Sequence, residues 1–270
     1  MKQKAERNIN GVVKPSRDLL DGTLGFRIWF MLALHDTKQR YRRSILGPFW
    51  FVLNNLLFIS ILGILYSQLF GEDIRTYVPY LSAGFITWQL IAATLIEGST
   101  AMVMADNLIK QVNLPMSSHA YRVAARNLVI LVHNAPLFIF FPLVMGVSLG
   151  VELLLLPIST LILFINSSWV CIVFGLLGAR FRDVQPIMQN IVTISFFFTP
   201  ILWKADLLAE RAVYVHLNPF VHFIELFRMP LLGQWPSDLS LIIVSAITVI
   251  GTFLAWLSLT LYRNQVAFWI

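Results

Sequence analysis

Six long stretches of the chain contain no charged residue, and this pattern indicates the class of the protein. They cover residues 45–70, 78–96, 127–151, 153–179, 184–203 and 239–262. Roughly 20 apolar residues of helix cross the hydrocarbon core of a bilayer, so each stretch is long enough for a transmembrane helix. The pattern therefore predicts an all-α integral membrane protein with one transmembrane domain at 45–270. Its six transmembrane helices are expected near 45–70, 78–104, 120–150, 153–179, 184–203 and 239–262.

Residues 1–44 precede the first predicted span and form a separate N-terminal segment. Between residues 19 and 43, apolar residues recur at helical spacing among charged ones. This pattern predicts an amphipathic helix that lies in the membrane interface. The helix ends in a basic run at 38–43. We interpret the run as an anchor for anionic lipid headgroups, or as a site that meets a phosphorylated substrate.

The distribution of charge predicts the orientation of the chain. Ten of the 20 Lys and Arg precede the first span, and the net charge is +6. The positive-inside rule then places residues 1–44 in the cytoplasm, and six spans return the C-terminus to the same side. Because this topology explains the basic balance, no nucleic acid is expected as a partner. Charged residues make up only 13% of the chain, which leaves no room for a soluble catalytic domain.

A short segment between the second and third spans has unusual apolar content. A helix is expected near 106–115, because Asp106 or Asn107 can cap its start and Pro115 would end it. It would present apolar side chains on the cytoplasmic side, and such exposed apolar surface favours a protein partner. The alternative interpretation is a plain loop that packs under the chain's own helices.

The connection between the fifth and sixth spans contains two apolar pieces, at 212–224 and 229–235, and Pro219, Pro230 and Pro236 lie in or directly after them. Neither piece is long enough to cross a bilayer, and lengths of this order are typical of re-entrant segments. Re-entrant helices are therefore expected near 212–235, entering from the outer side. The spacing of His216 and His222 matches no common metal site, so no metal is expected.

Several kinds of chemistry are absent from the sequence. The chain has no phosphate-binding loop that ends in Gly-Lys, and no metalloprotease or serine-hydrolase motif. No cofactor is therefore expected in this chain, and a gradient or a partner must supply the energy for any uphill transport. Glu97 is the only carboxylate well inside a predicted span, where it either relays protons or bonds to a neighbouring helix. The single cysteine, Cys171, is interpreted as a small residue in a helix interface.

Short pieces distributed along the chain resemble one known family. They lie at 36–50, 80–84, 107–115, 180–183, 198–203, 217–219 and 225–228, and their order and spacing are specific together. The chain resembles, over roughly 28–262, the membrane subunit of bacterial ABC exporters for cell-envelope polysaccharides. The resemblance implies a homodimer around a central channel in the bacterial cytoplasmic membrane, joined to two copies of a separate ATPase that binds ATP and Mg. The cargo would be a lipid-linked polysaccharide, with O-antigen on an isoprenoid diphosphate favoured over capsule or teichoic acid.

The resemblance also implies roles for particular residues. Coupling to the ATPase falls on Asp106, Asn107, Leu108, Ile109, Lys110, Gln111, Val112, Asn113 and Leu114. The diphosphate of the substrate would meet Arg40, Arg42 and Arg43 at the entrance. Candidates for lining the channel, on the first and fifth spans, are Trp50, Phe51, Phe58, Tyr66, Phe196, Phe197, Phe198 and Trp203. The outer gate would contain His216, Pro219, Phe220, His222 and Phe223.

Three other interpretations remain open at this point. The first is a different cargo, such as a drug or a small lipid, on the same scaffold. The second is a gradient-driven transporter that uses Glu97. The third is an intramembrane enzyme of lipid-glycan chemistry, which would require a cluster of polar groups at one depth, and the sequence contains no such cluster.

Overall fold

The computed structural model describes residues 17–40, 42, 44, 47 and 49–270, with the backbone alone at 209–212. The described residues form helices and turns without a β-strand. The α-helices are α1 (Asp18–Leu24), α2 (Phe26–Arg40), α3 (Phe49–Phe70), α4 (Ile74–Ser99), α5 (Asp106–Gln111), α6 (Met116–His133), α7 (Ala135–Met145), α8 (Leu155–Arg180), α9 (Val184–Phe198), α10 (Pro219–Leu231), α11 (Asp238–Tyr262) and α12 (Val266–Trp269). Short 3₁₀ segments lie at Val103–Ala105, Val151–Leu154, Ala205–Leu217 and Arg263–Gln265.

In the described part of the chain, five segments are long and apolar enough to cross a membrane. They are Phe49–Phe70, Ile74–Ser99, Met116–Met145, Val151–Arg180 and Asp238–Trp269. The fifth predicted span, 184–203, is the shorter helix α9. Its 15 residues extend for about 22 Å, less than the roughly 30 Å of a bilayer core. The predicted end at 203 is wrong because Thr199 precedes a proline and adopts an extended conformation.

The third predicted span, 120–150, is two helices rather than one. It begins earlier, at Met116, directly after Pro115, and α6 ends at His133. The chain turns at Asn134, and α7 then continues to Met145. The side-chain amide of Asn134 is buried and accepts a hydrogen bond from Asn55 on α3 at 2.9 Å, so the break is tied to a neighbouring helix.

Helix α4 lies at the centre of the bundle. Asp73 caps its start, and the helix packs against α3, α6, α7, α8, α9 and α10. The predicted span 78–104 is therefore displaced towards the N-terminus and ends at Ser99. Helices α4 and α8 approach closely where a β-carbon at Gly98 would lie 2.9 Å from the sulfur of Cys171. The interpretation of Cys171 as a small interface residue is confirmed.

Helix α3 contacts the bundle along a narrow stripe. Asn55, Ile59, Gly63 and Ser67, four residues apart, are its buried residues. A β-carbon at Gly63 would lie 2.7 Å from the side chain of Val78, so the absence of a side chain permits the contact with α4. Most of the remaining surface of α3 is apolar and exposed, and it is available to lipid or to another protein.

The N-terminal helices α1 and α2 bend at Gly25 and pack against α6. The buried stripe consists of Asp18, Gly22, Trp29, Ala33 and Thr37. The apolar residues that suggested an amphipathic helix lie mostly on the opposite, exposed side; they include Leu20, Leu24, Ile28, Met31 and Leu34. The face that attaches this segment to the bundle therefore combines Trp29 with small and polar residues, and most of the aliphatic side chains are exposed on the other face.

The connection between α9 and α11 differs from the two apolar pieces predicted there. Residues 205–217 form a 3₁₀ segment, and α10 is one continuous helix that Asn218 caps. Helix α10 runs through Glu225–Arg228, which separates the two predicted pieces, because Pro230 falls only in its last turn. Pro230 has no N–H to donate to the carbonyl of Leu226, and this carbonyl accepts from the hydroxyl of Ser159 at 2.8 Å. It is largely buried against α4, α8 and α11.

Candidate functional site

One end of the bundle carries most of the charged contacts, and we call it the basic end. It contains the C-terminal ends of α4, α8 and α11, the N-terminal ends of α6 and α9, and the short helices α5 and α12. Its basic residues on these elements and their connections are Lys110, Arg122, Arg126, Arg180, Arg182 and Arg263.

Asp18 joins three distant parts of the chain at the basic end. Its carboxylate accepts hydrogen bonds from the backbone N–H groups of Met116 (3.0 Å) and Ser117 (2.8 Å), which caps α6 in place of a local residue. The same carboxylate pairs with Arg263 at 3.0 Å, and both side chains are buried. The start of α6 is thereby fixed to both the N-terminal helix and the segment after α11.

The segment predicted as a helix at 106–115 contains a shorter helix. Helix α5 ends at Gln111, and Val112 is extended. The predicted caps are wrong, because Ala105 occupies the cap position without a side-chain bond and Asp106 instead pairs with Lys110 at 2.7 Å. Pro115 does not end this helix and directly precedes α6.

The apolar side chains of this segment are divided between the core and the surface. Ile109 packs against the buried cluster around α6 and α8, and Leu108 and Leu114 are half-buried. Val112 is exposed, as is Met104, which is 81% exposed and was not predicted. Among the other residues named for coupling, Asn107, Lys110, Gln111 and Asn113 are exposed and Asp106 is half-buried.

Helix α5 is attached to the C-terminal segment. The amine of Lys110 donates to the backbone carbonyl of Ile270 at 3.0 Å. Helix α12 packs against α5 and α8, and Val266 is fully buried there. Phe268 in the same helix is 87% exposed. A displacement of α5 would therefore also act on the end of α11.

A cavity of about 500 Å³ lies next to Met104 and Ala105, the residues that precede α5. Helices α2 and α6 form two of its sides, and the C-terminal end of α4 with the following turn forms the third. The charged residues that line it are Asp36, Arg40, Glu97, Arg122 and Arg126.

These five side chains form one network of ion pairs. Arg122 makes two parallel bonds to Asp36, at 2.7 Å through Nε and 2.6 Å through Nη2. Arg126 contacts Glu97 at 2.8 Å and Asp36 at 3.6 Å, and Arg40 contacts Glu97 at 2.9 Å. Three guanidinium groups thus share two carboxylates, which leaves an excess of one positive charge.

The structure brings together only part of the predicted entrance. Arg40 lines the cavity. Arg42, two residues further along the chain, is exposed and does not line it, and Arg43 lies outside the described residues. Sequence reasoning did not identify Arg122 and Arg126 as site residues. Their spacing of four places both on one face of α6, and this signal could have revealed them.

Glu97 bonds to two neighbouring helices, α2 through Arg40 and α6 through Arg126. It lies three residues after Thr94, close to the end of α4, and both of its oxygens accept from guanidinium groups, those of Arg40 and Arg126. The interpretation that Glu97 bonds to a neighbouring helix is confirmed.

The candidates for channel lining differ in exposure. Trp50, Phe58, Phe197 and Phe198 are exposed on the bundle surface, whereas Phe51, Tyr66, Phe196 and Trp203 are half-buried. Phe196 points into the bundle, where its ring centroid lies 6.0 Å from that of Trp88. Phe58 stacks on Phe85 at 4.5 Å. The exposed members lie on α3 and at the end of α9.

The residues named for an outer gate lie on or next to α10. His216 and Pro219 are exposed, while Phe220 is half-buried with its ring edge-on to Trp88. Phe223 and His222 are buried. The two ring nitrogens of His222 bond to the hydroxyl of Ser240 and the carbonyl of His216. His222 therefore fastens α10 to its surroundings and does not face an open passage.

The sequence profile described as "ABC-2 type transporter" matches residues 28–232. The chain belongs to this family. Its members are membrane transport subunits that work with an ATPase subunit, so this multi-pass permease is not itself the ATPase. The match includes all but the first two residues of α2, the residues of the charged cavity, α5 and all of α10.

Three relatives are similar to this permease along most of its length. The chain is 23% identical to the O-antigen export system permease protein RfbA of Myxococcus xanthus over 238 residues, which cover 87% of this chain and 90% of that protein. It is 24% identical to a protein of the same name from Klebsiella pneumoniae over 232 residues, covering 84% and 90%. A second such Klebsiella pneumoniae protein is 24% identical over 205 residues, covering 75% and 79%.

Proposed function

We propose that this permease is the membrane subunit of an ATP-driven exporter of a lipid-linked polysaccharide. The favoured cargo is O-antigen on an isoprenoid diphosphate, carried from the cytoplasm to the outer face of the bacterial inner membrane. The names of the three relatives support this cargo. Membership of the ABC-2 type transporter family supports ATP as the source of energy, with ATP and Mg bound by the partner subunit.

The observation that carries the proposal is the arrangement around α5. This short helix connects two long helices, and the exposed residues Met104 and Val112 lie just before and just after it in the chain. It is fixed to the C-terminus through Lys110 and followed by the capped start of α6. In our proposal each of two ATPase copies contacts one α5, and closure of the ATPase moves α5, α6 and the end of α11 together.

The remaining architecture of the exporter follows from the same proposal. The chain crosses the membrane six times with α9 as the short fifth span, and the basic end with both termini lies in the cytoplasm. Helix α2 lies in the interface, and α10 with the preceding 3₁₀ segment is re-entrant from the outer side. Two copies pair through the open faces of α3 and α9 to form the channel.

Exposed aromatic rings suit this cargo. Trp50 and Phe58 on α3 and Phe197 and Phe198 on α9 offer broad apolar faces to sugar rings. Such contacts hold no fixed hydrogen-bond register, so a polymer can slide along them. The channel-lining role is proposed for these four exposed residues.

The test is co-purification with the ATPase subunit, followed by export assays in proteoliposomes. Val112→Asp places a charge on the proposed contact surface and is expected to lower export at least tenfold. Val151→Asp is the matched control, because Val151 is also an exposed valine but lies in the turn before α8, at the other end of the bundle. Normal export by a correctly inserted Val112→Asp protein would contradict the coupling role. Failure of the ATPase to bind the unmodified permease would contradict the whole proposal.

A further inference from the structure

The arginines of the charged cavity are held by carboxylates in a geometry that also suits phosphate. Arg122 grips Asp36 through two parallel N–H···O bonds. The guanidinium fork makes the same two-point contact with a phosphate group as with a carboxylate. A phosphate group is therefore able to replace Asp36 without a change in the shape of the arginine site.

The cavity also has unused capacity to bind an anion. Its charged lining consists of three arginines and two carboxylates. Among the described residues none accepts a hydrogen bond from Nε of Arg126, although that atom is buried. A buried donor without an acceptor is unfavourable, so an arriving anion would gain a bond there that the resting network does not make. About 500 Å³ is sufficient for a diphosphate group.

The two carboxylates lie on different elements from the two arginines of α6. Asp36 belongs to α2 and Glu97 to α4, and Arg40 on α2 adds a second tie to Glu97. The second half of α2 is therefore held against α4 and α6 in part by these ion pairs. An anion that displaced Asp36 would release one of those ties.

We propose that Arg122 and Arg126 bind the diphosphate group of the exported lipid, and that Asp36 and Glu97 occupy these arginines until it arrives. This deepens the proposed function and rests on it for the identity of the ligand. The two proposed ligand-binding arginines belong to α6 and not to the basic run at 38–43, although Arg40 of that run lines the same cavity. Displacement of Asp36 loosens α2 and gives the headgroup access from the side of the bundle.

Opposite effects of two kinds of substitution distinguish this proposal from a purely structural network. Loss of an arginine removes a ligand-binding group, whereas loss of a competing carboxylate leaves the arginines free for the ligand. A structural network predicts instead that either change disorders the cavity and weakens binding.

The experiment measures binding of geranylgeranyl diphosphate to the purified full-length permease in nanodiscs of phosphatidylcholine. Arg122→Gln and Arg126→Gln are each expected to weaken binding at least tenfold. Asp36→Asn is expected to strengthen it at least threefold, and Glu97→Gln supplies a second test of that direction. The matched control is Arg182→Gln, an exposed arginine at the basic end, which should leave binding unchanged. If Arg122→Gln does not fold, Arg122→Lys keeps the charge but loses the two-point fork, and weaker binding is again expected.

Three further probes identify what is recognised. Geranylgeraniol, which lacks phosphate, should show no binding that depends on the arginines, and inorganic diphosphate should compete with the lipid probe. Phosphatidylglycerol in the nanodisc should compete poorly. Equal competition by phosphatidylglycerol, binding insensitive to both arginines, or weaker binding by Asp36→Asn would each overturn the proposal.

The assay requires neither ATP nor the ATPase, so its outcome is separate from that of the export experiment. Correct binding with no ATPase complex would reject the exporter and keep the anion site. Export that responds to Val112→Asp, together with probe binding insensitive to the arginines, would reject the anion site alone.

Discussion

The guanidinium group of Arg228 occupies the space in front of Gly84, where a β-carbon would lie 2.0 Å from Nη2. It also donates to the carbonyl of Pro200 at 2.9 Å and lies 3.9 Å from the centroid of the Tyr80 ring. This single buried cation therefore joins α4, α10 and the turn after α9. The three pieces at 80–84, 198–203 and 225–228 meet here in space.

Gly84→Ala should destabilise the permease by about 1–3 kcal/mol, the usual range for overpacking, because the added methyl group displaces the guanidinium. The check is thermal unfolding in detergent. In an Arg228→Ala background the same substitution should cost less, since no guanidinium remains to be displaced. Equal costs in the two backgrounds would mean that the contact between Gly84 and Arg228 contributes nothing.

Asp18→Ala should destabilise the protein by about 3 kcal/mol or more, because it removes a buried ion-pair partner of Arg263 and the cap of α6. Asp18→Asn retains an oxygen that can accept from the backbone and should fall between Asp18→Ala and the unmodified protein. Asp21→Ala, in the same helix but half-exposed, is the control and should change the unfolding midpoint little. A large effect of Asp21→Ala would show that helix content, rather than the cap and ion pair, is responsible.

Asn55→Leu should weaken the attachment of α3 by about 1 kcal/mol, the upper part of the range measured for hydrogen bonds between membrane helices. Asn55 exchanges two hydrogen bonds with Gln89 and donates a third to Asn134. The neighbouring Asn54 is exposed, so Asn54→Leu is a matched control. Thermal unfolding of both variants in one detergent compares them directly, and equal midpoints would contradict a role for this amide cluster.

Export should continue when the proton gradient is collapsed with an ionophore while ATP is maintained. Both oxygens of Glu97 are already engaged in ion pairs, with Arg40 at 2.9 Å and Arg126 at 2.8 Å, so the structure gives this carboxylate a role other than proton transfer. The rate of export is measured in proteoliposomes that contain ATP on the side of the ATPase, with and without the ionophore. Export that stopped with the ionophore while ATP turnover persisted would restore the gradient-driven alternative.

The positions of the long helices could be predicted from the sequence, because hydropathy reports where a helix meets lipid. The spans predicted at 153–179 and 239–262 correspond to α8 and α11. Each of these helices starts and ends within two residues of the predicted bounds. The predicted end of the fifth span was wrong, since an uncharged run continues through Pro200 where the helix does not. The break at Asn134 was also missed, because a single polar residue changes the average of an apolar stretch little.

Lateral partners could not be predicted from the same pattern. Hydropathy does not indicate which neighbouring helix a residue faces. It therefore could not predict that Arg122 pairs with Asp36 or that Arg228 packs against Gly84. The sequence analysis assigned Arg122 and Arg126 no part in a site. The apolar residues of the segment at 106–115 were identified from the sequence. Which of them are buried, as Ile109 is, and which are exposed, as Val112 is, depends on the packing of α12 against α5, and the sequence pattern does not show this contact.

The pairing of Asp18 with Arg263 has a consequence for synthesis. A ribosome makes Asp18 long before Arg263, so the N-terminal helix must wait for nearly the whole chain before its carboxylate finds this cation. Until then Asp18, which caps α6, lacks its ion pair with Arg263. Lys110 in α5 likewise lacks the carbonyl of Ile270 to which it donates. The contacts that complete the basic end can therefore form only after α11 has been synthesised, and a chain stalled before that point lacks both of them.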